Sequence, residues 1–97
     1  MRVISPKRLR EFWDIHREAE SRLKVWLTAV RHADWKQFAD IRKMFSNAVD
    51  VYKQYVIFDV GGNTYRVITE INYKTHKVYI RFVLTHKEYS REGWKSQ

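Results

Sequence analysis

The fold is decided by V56-IFDVGGNTYRVITEIN-72 and its continuation Y73-KTHKVYIRFVLT-85. Val56, Phe58 and Val60 alternate with Ile57 and Asp59, a period of two that marks a strand. Gly61-Gly62 then tolerates the positive φ of a tight turn. Asn63 to Asn72 returns, the polar run Lys74-Thr75-His76-Lys77 turns again, and Val78 to Thr85 completes a three-stranded antiparallel meander. A two-residue turn at Gly61-Gly62 places Phe58 opposite Tyr65 and Val56 opposite Val67. A four-residue loop at Lys74 to Lys77 places Ile71 opposite Ile80, Thr69 opposite Phe82 and Val67 opposite Leu84. One face is then apolar, and the other carries Arg66, Ile68, Glu70, Tyr79, Arg81, Val83 and Thr85.

Upstream of the meander the period is helical. Met1 to Ile4 is a short β-prone run, Ser5 suits an N-cap, and Pro6 suits the first helical position. Leu9, Phe12, Trp13 and His16 predict an amphipathic helix from Pro6 to about Arg17. Leu23, Trp26, Leu27 and Val30 form the stripe of a second helix starting near Ala19 or Ser21. Ala33-Asp34-Trp35 reads as a break with a cap at Asp34, and Phe38, Ile41, Arg42 and Phe45 make one more short helical face. Trp13, Trp26 and Trp35 are read as packing residues. The expectation is an α+β fold, an N-terminal strand and two to three helices packed on one face of an antiparallel sheet, with residues 1–97 as a single domain. The tail after Tyr89 is expected to be polar and frayed, apart from Trp94.

The 97 residues include 19 Lys and Arg against 11 Asp and Glu, a net charge of +8 that attracts polyanions. There are no cysteines, so disulfide frameworks and Cys-based zinc sites are excluded. No apolar run is long enough to span a membrane and no apolar segment follows the basic N-terminus, so a cytoplasmic location is expected. No pair of histidines has helical zinc spacing and no glycine-rich loop precedes a helix, so neither metal nor cofactor is expected.

Polar residues collect on the uncovered sheet face and its exit: Arg66, Arg81, His86, Lys87 and Tyr89. Metal-free RNA cleavage needs a base for the 2′-hydroxyl proton, cations for the phosphorane and an acid for the 5′-oxygen. Histidine, arginine and tyrosine supply these. Plainer roles compete: Arg81 as half of a cross-strand pair with Glu70, His86 as a helix cap, Tyr79 and Tyr89 as packing residues, His16 as structural, and His76 as a solvated turn residue.

Val60-Gly61-Gly62-Asn63-Thr64-Tyr65-Arg66 and Tyr79-Ile80-Arg81-Phe82-Val83-Leu84-Thr85-His86-Lys87-Glu88-Tyr89 resemble the two signature strands of the HigB toxins, RelE-like members of type II toxin-antitoxin systems. Ile4-Ser5 to Phe12-Trp13 and Ala33-Asp34-Trp35-Lys36 resemble the same family, in the same order. The resemblance implies a RelE-like fold and a ribosome-dependent, metal-independent mRNA interferase that inhibits translation. It also implies a helix-turn-helix antitoxin of HigA type as partner. Carried onto this chain, it implies His86, Arg66, Arg81, Tyr89 and Lys36 as catalytic, with His86 moving the proton. Lys36, Arg66, Arg81 and Lys87 are implied to bind RNA. Family members often carry an acidic residue after the Tyr89 position, where this chain has Ser90. The competing readings are a non-catalytic RNA- or ribosome-binding module and a protein that only docks an acidic partner segment.

Overall fold

In the computed structural model, which describes residues 1–96, the period-two segments form a five-stranded sheet and the period-3.6 segments pack on one side of it. The strands are β1 (Arg2–Ile4), β2 (Val49–Tyr52), β3 (Tyr55–Val60), β4 (Tyr65–Asn72) and β5 (Lys77–Thr85), in the spatial order β1-β5-β4-β3-β2. All neighbours are antiparallel except β1, which runs parallel to the first residues of β5. The helices are α1 (Lys7–Ile15), α2 (Glu20–His32), α3 (Phe38–Phe45) and α4 (His86–Ser90), with short 3-10 turns at Arg17–Ala19, Ser46–Ala48 and Gly93–Ser96. The α+β architecture agrees with the expectation. Strand β2, absent from the sequence reading, adds itself through a tight turn at Lys53-Gln54, where Lys53 takes φ 53°.

The helical stripes meet the sheet as their spacing requires. Leu9, Phe12 and Trp13 of α1, Leu23, Trp26 and Val30 of α2, and Ile41 of α3 are buried against Val56, Phe58, Val67, Val78 and Ile80. Phe58 is fully buried, with Trp26, Trp35 and Phe45 rings at 5.3, 6.0 and 5.0 Å. Burying a side chain of this size contributes about 1.5–3 kcal/mol, so this cluster anchors helices to sheet. Two expected caps are not formed. Pro6 rather than Ser5 precedes α1, without a side-chain bond. Gln37 precedes α3, while the Asp34 carboxylate lies 2.9 Å from His76 Nδ1. Among the described residues no helix is long and apolar enough to cross a membrane.

Both hairpin registers differ from the expected ones. The first turn has four residues, Gly61 to Thr64, so Val60 pairs with Tyr65, Phe58 with Val67 and Asp59 with Arg66. Thr64 closes it by donating from its hydroxyl to the Gly61 carbonyl at 2.8 Å. Gly61 sits at φ 70°, and a Cβ there would come within 2.8 Å of the Arg22 side chain, so the position favours glycine on both counts. The second turn is Tyr73 to His76, which pairs Ile71 with Val78 and Thr69 with Ile80. Both shifts are by two residues, which preserves the faces.

A third difference does not preserve them. The register breaks between Ile68 and Thr69, leaving Arg81 as the extra residue of a bulge on β5. Beyond it Val83 packs toward the helices, whereas Phe82 and Leu84 turn to the opposite face. That face is not uncovered. Tyr55, Ile57, Ile68 and Trp94 form a second core there, with Tyr52, Phe82, Leu84 and Tyr89 packed on it. The tail is therefore seated rather than frayed. Trp94 is 4% exposed, stacks on Tyr89 at 5.4 Å and meets Tyr52 and Tyr55 edge-on. We expect Trp94→Ala to destabilise the protein by about 3 kcal/mol in urea unfolding; a loss below about 0.5 kcal/mol would show that the tail is not part of the core.

Candidate active site

The four-residue turn places Arg66 opposite Asp59, and the bulge places the start of α4 beside both. Arg66 is 6% exposed. Its Nε donates to Asp59 Oδ1 at 2.9 Å, one Nη donates to the Tyr65 carbonyl at 3.1 Å, and the other donates to Asn63 Oδ1. That second Nη also lies 3.4 Å from His86 Nδ1. A buried guanidinium requires this full complement, since an unpaired one is strongly unfavourable inside a protein.

Helix α4 is held by a capping box. The Glu88 N–H donates to the Thr85 hydroxyl at 3.2 Å, and the Thr85 N–H donates to the Glu88 carboxylate at 2.9 Å. His86 is thus fixed at the first helical position, and its N–H donates to the Thr64 carbonyl at 2.9 Å, tying the helix to the turn. Its side chain is exposed. While Nδ1 accepts from Arg66, the hydrogen of a neutral ring sits on Nε2, across the ring.

Tyr89, one turn on, lies with its ring 5.0 Å from the Arg66 guanidinium carbon. Trp94 stacks on it and donates from its indole to the Tyr89 carbonyl at 3.2 Å. Burial pushes the Tyr89 phenol above its ordinary range, and the Arg66 charge opposes part of that shift. Tyr89 therefore stays a neutral phenol at neutral pH, able to donate a proton or stack but not to act as a base.

Arg66 and Tyr89 line a polar cleft of about 370 Å³ together with Arg42, Asn47, Asp50 and Asp59. None of these last four, nor Asn63, is found by sequence reasoning. The signal for Asp59 was present in principle: a four-residue turn sets it directly across from Arg66. Arg42 and Asn47 reach the cleft only through the packing of α3, which no local pattern reveals.

The other expected site residues fall elsewhere. The Arg81 Nε pairs with Glu70 Oε1 at 3.1 Å and its guanidinium lies 5.1 Å from the Tyr79 ring centre. The cross-strand pair thus exists, although Glu70 stands opposite Tyr79 and reaches Arg81 diagonally. Lys36 is exposed, its N–H donating to Asp40 Oδ2 at 2.9 Å, and it shares a separate depression with Arg81, Glu70 and Tyr79. Arg66 and Glu70 are four residues apart on one face of β4, roughly 13 Å at the strand rise. Lys87 is exposed on α4. Of the remaining histidines, His16 stacks on Phe12 at 4.4 Å, His32 Nδ1 lies 2.8 Å from the Thr28 carbonyl, and His76 pairs with Asp34.

Residues 19–92 match the family model HigB_toxin, the RelE-like toxic component of a toxin-antitoxin system. Over 92 residues the chain is 28% identical to the mRNA interferase toxin HigB of Escherichia coli strain K12, covering 92% of this chain and 88% of that one. The same identity and coverage hold for mRNA interferase HigB of Shigella flexneri. A relative of the same name from Escherichia coli O6:H1 is 29% identical over 65 residues, covering 64% of this chain and 62% of its own.

The two ion pairs differ in burial and are expected to differ in energy. Asp59→Ala, which strands the buried Arg66, is expected to cost about 2 kcal/mol or more in chemical unfolding. Glu70→Ala, which frees a half-exposed Arg81, is expected to cost less than about 1 kcal/mol; equal losses would overturn the assignment. By NMR titration, the Tyr89 phenol is expected to ionise above a free tyrosine and to rise further in Arg66→Met, because the opposing positive charge is gone.

Proposed function

Because the chain belongs to the HigB toxins, the RelE-like toxic components of toxin-antitoxin systems, we propose that it is an endoribonuclease that cuts mRNA during translation on the ribosome, without a metal ion. It acts in the cytoplasm, where that substrate is found, and a helix-turn-helix antitoxin of HigA type holds it in check. The relatives are named mRNA interferases, and the net charge of +8 suits a polyanionic substrate.

The observation that carries this reading is that Arg66 touches both other candidates: its guanidinium lies 3.4 Å from His86 Nδ1 and 5.0 Å from the Tyr89 ring, with which it lines the cleft. In the proposed reaction the 2′-oxygen attacks the adjacent phosphorus as its proton leaves, the bond from phosphorus to the 5′-oxygen breaks, and that oxygen takes a proton. One product strand ends in a 2′,3′-cyclic phosphate and the other begins with a 5′-hydroxyl. His86, exposed at the start of α4, is the proton-transfer residue. Tyr89 remains protonated and lies against the Arg66 guanidinium as a donor or stacking surface. Arg66 is not free to clamp a phosphate with its whole fork. Asp59, Asn63 and the Tyr65 carbonyl engage its nitrogens, which leaves little of the fork for substrate. Its role is to orient His86 and Tyr89 and to contribute positive field.

Induced expression is expected to arrest growth, with mRNA cut inside translated reading frames and EDTA making no difference in a reconstituted ribosome assay. His86→Ala is expected to lower the cleavage rate roughly 100-fold or more. Arg66→Lys, which keeps the charge but cannot span Asp59, Asn63 and His86, is expected to restore little of the activity lost in Arg66→Ala. Full toxicity of both His86→Ala and Arg66→Ala would displace the site. Ribosome binding without strand scission would identify a non-catalytic binding module instead.

A further inference from the structure

A second depression, about 560 Å³ and larger than the cleft around Arg66, is lined by Lys36, Glu70, Tyr73, Lys74, Tyr79 and Arg81. We propose that it is a second RNA-binding subsite, which holds a single-stranded stretch of the strand being cut, away from the reacting phosphate. The proposal rests on the RNA-cutting reading above; it keeps the RNA-binding role expected of Lys36 and Arg81, sets aside their catalytic one, and adds Tyr79 and Lys74 to the grip.

Its position follows from the sheet. The last pair between β3 and β4 is Val56 with Thr69, so Glu70, Ile71 and Asn72 have no strand beside them on that side. The hairpin end therefore stands clear of the sheet edge, and the loop carrying Lys36 between α2 and α3 closes one side of the opening. His76 Nδ1 lies 2.9 Å from the Asp34 carboxylate, a contact that joins that loop to the hairpin turn.

Its composition separates single-stranded nucleic acid from other polyanions. Neither the Lys36 nor the Lys74 ammonium forms an ion pair among the described residues. Both remain available to phosphates. Arg81 is held by Glu70 through Nε and lies over the Tyr79 ring, so a planar cation and a phenol are fixed together. Base stacking uses such planes, and phosphate contact uses the lysines. A small anion or an acidic peptide would gain from the cations alone and would also meet the Glu70 carboxylate. Arg66 and Glu70 share a face of β4 roughly 13 Å apart. That exceeds the reach of one phosphate group, so the two sites engage different nucleotides of one strand.

The test is the affinity of the purified protein for a non-cleavable 2′-O-methyl oligoribonucleotide of about nine nucleotides, followed by fluorescence anisotropy. Tyr79→Ala is expected to weaken binding about tenfold, and Tyr79→Phe, which keeps the stacking plane, to stay within about twofold of the unaltered chain. Lys74→Glu is expected to weaken binding and to reduce the salt slope by about one. Lys53→Glu, the same charge change in the turn between β2 and β3, is expected to do markedly less. If Lys53→Glu weakens binding as much as Lys74→Glu, or Tyr79→Ala leaves affinity within about twofold, the subsite is refuted. Should Tyr79→Ala fail to fold, the exposed Lys74 against Lys53 comparison decides. Oligonucleotide binding that depends on Lys74 and Tyr79 without any mRNA cleavage would leave the subsite standing and remove the cleavage reading.

Discussion

The buried guanidinium of Arg66 sets conditions that much of the rest of the structure meets. Five N–H donors carried on one positive charge, 6% exposed, need acceptors and a counter-charge close by. The counter-charge is Asp59, brought opposite by the four-residue turn. The acceptors are the Tyr65 carbonyl and Asn63, the latter supplied by the turn itself. His86 and Tyr89 then complete the shell from α4. A turn one pair shorter would put Ile57 opposite Arg66 and leave the charge without Asp59. The chemistry of the cleft and the geometry of a glycine turn are therefore one constraint, seen at two scales.

The second core protects that arrangement. Trp94 packs on Tyr89, Tyr52 and Tyr55, and Tyr89 in turn covers Arg66. Removing water from around the guanidinium strengthens its pairing with Asp59, and burial of the Tyr89 phenol itself raises its pKa against the opposing Arg66 charge. The C-terminal segment thus tunes the site while contributing no group to the reaction. Stability and proton chemistry are coupled through a single stacked pair of rings.

The parts of the fold that side-chain period alone decides are legible in the sequence. Leu9, Phe12, Trp13, Leu23, Trp26 and Val30 line the helices as their spacing requires, and Val56, Phe58 and Val67 face them. Registers offset by two residues are invisible to a period-two pattern, so Phe58 opposite Tyr65 and Phe58 opposite Val67 look alike from the alternation. That ambiguity hid Asp59, the partner of Arg66. Val49 to Tyr52 escaped notice because four residues with Asp50 at the second position carry too little pattern to stand out from a loop. Arg66 and Arg81 are parted for a different reason: both are on the meander, but distance along the strands places them at two depressions.

The bulge at Arg81 is what allows one strand to serve two cores. Without it, Ile80, Phe82 and Leu84 would all face the helices, and the opposite side of β5 would present Tyr79, Arg81, Val83 and Thr85. Inserting one residue reverses the second half of the strand. Ile80 stays under the helices and Val83 joins it, while Phe82 and Leu84 become the floor on which Tyr55, Trp94 and Tyr89 close. The bulged Arg81 carbonyl accepts from Arg8 of α1 at 2.9 Å, and its side chain is steered to Glu70 and Tyr79. Bulges re-aim side chains and bend strands. Here the same displacement builds the floor beneath Tyr89 and turns Arg81 toward the hairpin end, so both depressions trace to one extra residue.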